Sequence, residues 1–280
     1  MKEDVRKAVR NSYGRIAKQK DSCCAATSPC CQPAGSTADV AKKLGYTEEE
    51  LQAVPEESNL GLGCGNPTAL ASLKEGETVL DLGSGAGLDC FLAAKKVGNK
   101  GKVIGVDMTP EMIDKARENA KKGNYENVEF RLGEIENLPA ADSSVDVVIS
   151  NCVINLAPDK GRVFKEAFRV LKPGGRLMVS DIVLLKELPD SVKNSVEAYV
   201  GCLSGAIMKD KYLAAIRTAG FQETEIVGEA SLSNVLSDMA DNPEIKAIVQ
   251  DLRIPPEELK TLASSGASIS VCGLKPKQTS

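Results

Sequence analysis

The sequence predicts an α/β fold: a mostly parallel sheet with an antiparallel edge strand and helices on both faces, plus an N-terminal arm and a C-terminal insert. Three observations carry this reading. From residue 77 short apolar runs alternate with helical runs, the pattern of a parallel sheet wrapped by crossover helices. The first apolar run leads directly into a glycine-rich loop that opens a helix. The last two apolar runs are separated by a helical insert and read as a hairpin on the sheet edge.

The elements follow in chain order. Residues 1–40 stand apart as an arm. It starts as a basic amphipathic helix, with Val5, Val9, Tyr13 and Ile16 on one face, and continues into a Ser/Pro/Cys stretch that cannot hold regular structure. Residues 47–53 predict a small helix with Thr47 as N-cap and Glu50 at the third helical position. Thr78–Leu82 is a strand and Leu88–Val97 a helix. Lys102–Asp107 is a strand, and the helix after it is capped by Thr109, begins at Pro110 and presents Met112, Ile113, Ala116 and Ala120 to the core. Val128–Leu132 and Asp146–Ser150 are strands. Lys160–Leu171 is a helix ended by Lys172-Pro173-Gly174-Gly175, and Arg176–Ile182 is the fifth strand. Lys209–Ala219 is a helix with Gly220 at its C′ position. Glu223–Val227 and Ser268–Leu274 close the sheet. The chain divides into the arm (1–40), an α/β core (41–228) and a C-terminal extension with the closing strand (229–280).

Composition narrows the chemistry. The chain has 280 residues and a net charge of -4, which argues against a nucleic-acid or anionic-membrane surface. No apolar run approaches the ~18 residues of a membrane span, and Met1-Lys2-Glu3-Asp4 lacks the apolar core of a secretory signal, so a cytoplasmic location is expected; a monomer is expected as well, without a sequence feature that decides it. There is no histidine, which removes Ser-His-Asp and Cys-His catalysis and every histidine metal site. Nine cysteines remain; in a reducing compartment they are expected as thiols, pointing to thiol or soft-metal chemistry.

The strongest motif is Val79-Leu80-Asp81-Leu82-Gly83-Ser84-Gly85-Ala86-Gly87. Its glycines let a ligand approach the backbone closely. The third glycine falls one residue earlier than in the dinucleotide pattern, so the loop has less need to cradle a pyrophosphate. The next strand ends in Asp107, a carboxylate placed to accept ribose hydroxyls. Gly133-Glu134-Ile135 and Ser150-Asn151-Cys152 follow the third and fourth strands, at the carboxyl edge where ligands of open α/β sheets bind. With Asp146-Val147-Val148-Ile149-Ser150-Asn151 and Leu171-Lys172-Pro173-Gly174-Gly175, the set resembles the Rossmann-like class I S-adenosylmethionine-dependent methyltransferases. The resemblance implies that Gly83, Ser84, Gly85 and Gly87 border the methionine part of the cofactor and Asp107 holds the ribose. It implies further that Met108 packs on the adenine, Glu134 lies near its amine, Asp81 orients the loop or the amino group, and Asn151 completes the cofactor set.

Three cysteines fall near that edge: Cys64 in Leu62-Gly63-Cys64-Gly65-Asn66-Pro67, Cys152 just beyond the fourth strand, and Cys202 in Val200-Gly201-Cys202-Leu203-Ser204-Gly205. Glycine neighbours at Cys64 and Cys202 predict exposed thiols. Cys90 and Cys272 are expected in the core. Cys23, Cys24, Cys30 and Cys31 form adjacent pairs, poorly spaced for one tetrahedral metal, so a redox or metalloid-capture role fits better.

The cysteine contexts, together with Tyr13-Gly14 and Glu197-Ala198-Tyr199-Val200-Gly201-Cys202, resemble the arsenite methyltransferases over nearly the whole chain. Many members of that family carry one functional cysteine in the N-terminal part, where this chain has two adjacent pairs. The resemblance implies arsenic held as a thiolate complex by Cys64, Cys152 and Cys202, with the arsenic lone pair attacking the methyl of S-adenosylmethionine. No base is required, in keeping with the missing histidines. The implied partners are arsenite or methylarsenite and a thiol reductant such as thioredoxin or glutathione. The competing readings are a methyltransferase for another small nucleophile with structural cysteines, and a non-catalytic metalloid-binding protein.

Overall fold

A computed structural model describes residues 2–18, 37–188, 204–233 and 264–277. Its strands are β1 Thr78–Leu82, β2 Lys102–Asp107, β3 Val128–Leu132, β4 Val145–Asn151, β5 Leu171–Leu184, β6 Gln222–Ser231 and β7 Gly266–Leu274. They form one sheet in the order β3-β2-β1-β4-β5-β7-β6. The pairings from β3 through β5 are parallel. β7 runs antiparallel to both β5 and β6, so the reversal is confined to one edge. The chain works outward from β1 to β3 and then returns to β4 beside β1. The strand order therefore reverses between β1 and β4, opening the crevice in which sheets of this kind bind ligands.

The central strands are apolar on both faces because both faces are covered. Val79, Val147 and Ile149 pack with Phe91 of α5 (Leu88–Val97) and Ile113 of α6 (Pro110–Lys122). Their neighbours Leu80 and Val148 point the other way, to Phe164 of α7 (Lys160–Val170) and Ile216 of α8 (Lys209–Thr218). No helix among the described residues is long and apolar enough to cross a membrane.

The expected elements recur with shifts at their ends. Thr47 and Glu50 form the capping box of the short helix α3 (Glu48–Gln52). Thr109 sits at the N-cap of α6 without a side-chain capping bond; its backbone N–H donates instead to Asp107 (2.8 Å). Lys172-Pro173-Gly174-Gly175 does not end a helix outside the sheet, as expected, but belongs to β5. Gly174 N–H donates to Lys275 and Lys275 N–H to Gly175, while the β4–β5 register slips between Val145 and Val147. The glycines thus serve an irregular ladder rather than a loop.

Two further elements lie within residues 1–40, α1 (Lys2–Lys18) and α2 (Thr37–Lys43). α1 is packed onto the core: Val9 is buried, and Arg6 pairs with the buried Glu136 at 2.8 Å. Cys23, Cys24, Cys30 and Cys31 lie outside the described residues.

Candidate active site

The glycine loop after β1 is shaped for a ligand. Gly83, Gly85 and Gly87 all have positive φ. A side chain on Gly83 would collide with Val153, whereas Gly85 faces open space. The Gly83 and Ser84 amides both donate to Val106 at the end of β2 (2.7 and 3.0 Å), which pins the loop to the sheet. Asp107 accepts from Gly85 N–H at 3.0 Å, so the carboxylate stands at the mouth of the loop. Burial pushes it above its ordinary range, against the pull of its backbone donors. The Ser84 hydroxyl is buried with no hydrogen-bond partner among the described residues. An open backbone cradle, an unpartnered hydroxyl and a carboxylate at its rim together fit the methionine and ribose parts of S-adenosylmethionine.

Across the crevice, β4 ends at Asn151 and the chain turns at Cys152, whose φ is +59°. That left-handed conformation is unfavourable for a residue with a Cβ and turns the chain away from the strand direction. Cys152 N–H donates to Ser180 O of β5 (2.8 Å), and Cys64 Sγ donates to the same carbonyl (3.4 Å). One peptide oxygen thereby gathers two cysteines from distant parts of the chain. The third member is Asp181: the two sulfurs and a carboxylate oxygen of Asp181 lie within 4.8 Å of one another. Asp181 is fully buried and accepts from Asn155 Nδ2 (2.8 Å) and the Tyr212 hydroxyl (3.1 Å). Burial pushes its carboxyl up to about 7. Burial, then Asp181 and the two cysteines, push the Tyr212 phenol well above its usual value, so its hydroxyl remains a donor.

A second network sets the Cys64 loop in place. Asn151 Oδ1 accepts from Cys64 N–H (3.0 Å), and its amide donates to Gly65 O (2.8 Å), the Tyr46 hydroxyl (3.0 Å) and Asp89 (3.2 Å). Tyr46 in turn donates to Asp89 at 2.8 Å. α1 covers the same edge, because Val5, Val9 and Tyr13 share an apolar cluster with Met108, Cys64 and Cys152.

The sequence-predicted site residues take the following places. Cys64, expected to be exposed by its glycines, is buried: Gly65 packs against Ser180 and Ser268 donates to Cys64 O (2.8 Å). Cys272, expected in the core, is half-buried, while Cys90 is fully buried as expected. Asn151 is turned toward the Cys64 loop and Asp89. Asp81 is buried in β1, accepts from Cys90 Sγ (3.2 Å), and is pushed well up in pKa by burial. Glu134 lies 3.7 Å from Arg6 of α1. Cys202 lies outside the described residues. Sequence reasoning missed Asp181 and the Tyr46–Asp89 pair. The available signal for Asp181 was one carboxylate in the run 177–184, which is otherwise apolar except for Ser180, since a buried charge needs a reason to be there.

Comparison with known proteins places this crevice in a family. Residues 73–220 match the methyltransferase domain family. An arsenite methyltransferase from Aquipseudomonas alcaligenes is 38% identical over 85% of this chain and 68% of its own length. The chain belongs to the arsenite methyltransferase family. Another member, from Halobacterium salinarum, is 50% identical over 84% of this chain, which spans 62% of that protein's length. The crystal structure of an arsenic(III) S-adenosylmethionine methyltransferase from Chlamydomonas reinhardtii superposes with a TM-score of 0.61 at 34% identity, over 85% of this chain and 73% of that one.

Proposed function

We propose that this protein methylates trivalent arsenic with S-adenosylmethionine, holding arsenite or methylarsenite on the thiolates of Cys64, Cys152 and Cys202. The observation that carries the reading is the approach of Cys64 and Cys152 on one carbonyl, across the crevice from the glycine loop. Gly83, Ser84, Gly85, Gly87 and Asp107 hold the cofactor, with Met108 and Glu134 toward its adenine. When bound, S-adenosylmethionine supplies an electrophilic methyl group.

The chain's own residues do the rest. Each thiol that binds arsenous acid gives its proton to a departing hydroxyl, which leaves as water. Three sulfurs leave the arsenic lone pair directed away from them, and placing that pair in line with the methyl is the main catalytic contribution. The arsenic–carbon bond forms as the sulfonium–methyl bond breaks, and arsenic rises from the trivalent to the pentavalent state. A thiolate of the N-terminal segment then attacks the arsenic-bound sulfur of Cys64: the disulfide forms as the arsenic–sulfur bond breaks, its electron pair returns to arsenic, and trivalent methylarsenic stays on Cys152 and Cys202. A thiol reductant such as thioredoxin or glutathione then reopens that disulfide by exchange. Asn151 holds the Cys64 loop in place, and Asp81 orients the glycine loop or the amino group of the cofactor.

The test is incubation of the protein with arsenite, S-adenosylmethionine and a thiol, with methylated arsenic read by mass spectrometry. Methylarsenic is expected from the parent protein and none from Cys152→Ser. Equal product from both would return the cysteines to a structural role and favour another nucleophile.

A further inference from the structure

We propose that Cys64, Cys152 and Asp181 form a binding site for a thiophilic divalent cation of the zinc or cadmium kind, and that such a cation competes with arsenic for the two thiols. The reasoning begins with a donor that arsenic does not use. Trivalent arsenic is satisfied by sulfur, yet a carboxylate oxygen lies in the same cluster, within 4.8 Å of both sulfurs. Zinc accepts mixed sulfur and oxygen donors in a tetrahedron, and three protein ligands leave the fourth position to water. With Zn–S bonds of about 2.3 Å, two sulfurs on such a centre stand roughly 3.7 Å apart. The donors here, all within 4.8 Å of one another, therefore need to close by about an ångström at most.

The surroundings favour a ligand role for Asp181. Its carboxylate is held by the Asn155 amide and the Tyr212 hydroxyl, the outer-shell arrangement that orients metal-binding carboxylates. Cys64 and Asp181 are buried and Cys152 is half-buried, so a cation would enter past Cys152. Binding converts each thiol to a metal thiolate: the sulfur electron pair forms the bond and the proton goes to solvent. No oxidation state changes, so no oxidant or reductant is involved.

The pocket shares its thiols with the proposed arsenic chemistry, but the cation site stands on geometry alone and is read without arsenic present. The full chain, reduced and kept from air, is titrated with cadmium ion and followed by cadmium NMR. The parent is expected to show a resonance characteristic of mixed sulfur and oxygen donors. Cys152→Ser and Asp181→Asn should each remove it, and Tyr212→Phe, a milder change beside the ligand, should weaken cadmium binding about 10-fold or more. Stoichiometric arsenite should discharge the resonance in the parent, while Asp181→Asn should still take up arsenite. Only all-sulfur resonances in the parent would overturn the site, as would a mixed resonance that survives Asp181→Asn. Failure of the arsenic reading shows separately, as a parent that binds cadmium in this way but takes up no arsenite.

Discussion

Replacing Gly65 by alanine tests whether the thiol pair depends on close packing of the Cys64 loop against β5. A Cβ at Gly65 would stand 2.8 Å from Ser180 Oγ and 2.9 Å from Ser180 Cβ. The hydroxyl can rotate away, but the Cβ is fixed to the strand. Carbon atoms rest at about 3.5–4.0 Å, so the loop must retreat by roughly 0.6–1 Å. Gly65 is not in the left-handed region, so the collision, not the backbone, decides the outcome. Overpacking of this size costs about 1–3 kcal/mol, a fall in Tm of about 2–4 °C for each kcal/mol. Cys64 moves with its neighbour, away from Cys152, and a displacement of about 1 Å at a reacting centre costs on the order of 100-fold in rate. Arsenite methylation by Gly65→Ala should fall accordingly, measured as methylarsenic formed per minute. The double variant Gly65→Ala/Ser180→Gly removes the obstructing Cβ while leaving the Ser180 carbonyl for both cysteines. It should recover most of the rate, even though a glycine in β5 costs roughly 1 kcal/mol of its own. Parent-level activity in Gly65→Ala, or a double variant no faster than the single one, would refute the packing argument.

Three other outcomes are expected. Cys152→Ser and Cys202→Ser should each abolish methylation of both arsenite and methylarsenite, because a hydroxyl is too hard to replace a thiolate, whereas Cys64→Ser should lose the inorganic substrate and keep a single methyl transfer to methylarsenite, which the other two thiolates hold; product analysis by mass spectrometry separates the two cases. Asp107→Ala should weaken S-adenosylmethionine binding by about 2–3 kcal/mol in titration calorimetry, and should lower Tm as well, because the Gly85 and Thr109 amides lose their acceptor. Asp89 is buried and its carboxyl is pushed up to about 6, chiefly by burial, so the folded chain binds a proton there that the unfolded chain has released. That contribution is complete below about pH 4 and is lost as pH rises toward 6, so Asp89→Asn should flatten the decline in denaturant-measured stability across this window; an unchanged slope would remove the assignment.

The parts of the fold set by local pattern were legible in the sequence. β1, β2 and β3 appear at the residues their apolar runs mark, and Pro110 and Gly220 punctuate their helices as proline and glycine do. The glycine loop and Asp107 were readable because a ligand-binding turn needs particular residue types at fixed spacing. What escaped depends on contacts between distant segments. The burial of Cys64 follows from Ser180 and Ser268, more than a hundred residues away. α1 carried a visible apolar face, but nothing local said that the face would meet Met108 and Cys152. The place of Asn151 after β4 was legible, but its amide bonds to Gly65 and Tyr46 come only with the folded loop.

The Ser180 carbonyl explains how an ordinary sheet holds a thiol pair. Asn151 pairs with Ser180 in the β4–β5 ladder, and Cys152 N–H then donates to Ser180 O. Had the strand continued extended, period-two alternation would have sent the Cys152 side chain to the same face as Val148, into the core beside α7. The turn to φ +59° avoids this, at a cost of roughly 1–2 kcal/mol for a residue with a Cβ. The Cys152–Ser180 hydrogen bond offsets part of that cost. The second donor to the carbonyl, the Cys64 thiol, is a weak one. When Cys64 gives up its proton to a soft ligand, the carbonyl keeps its strong donor and the ladder stays in place. Capture of a ligand by the two sulfurs therefore breaks only the weaker of the two bonds to this carbonyl, while Asn151 and Ser268 keep the Cys64 backbone in place.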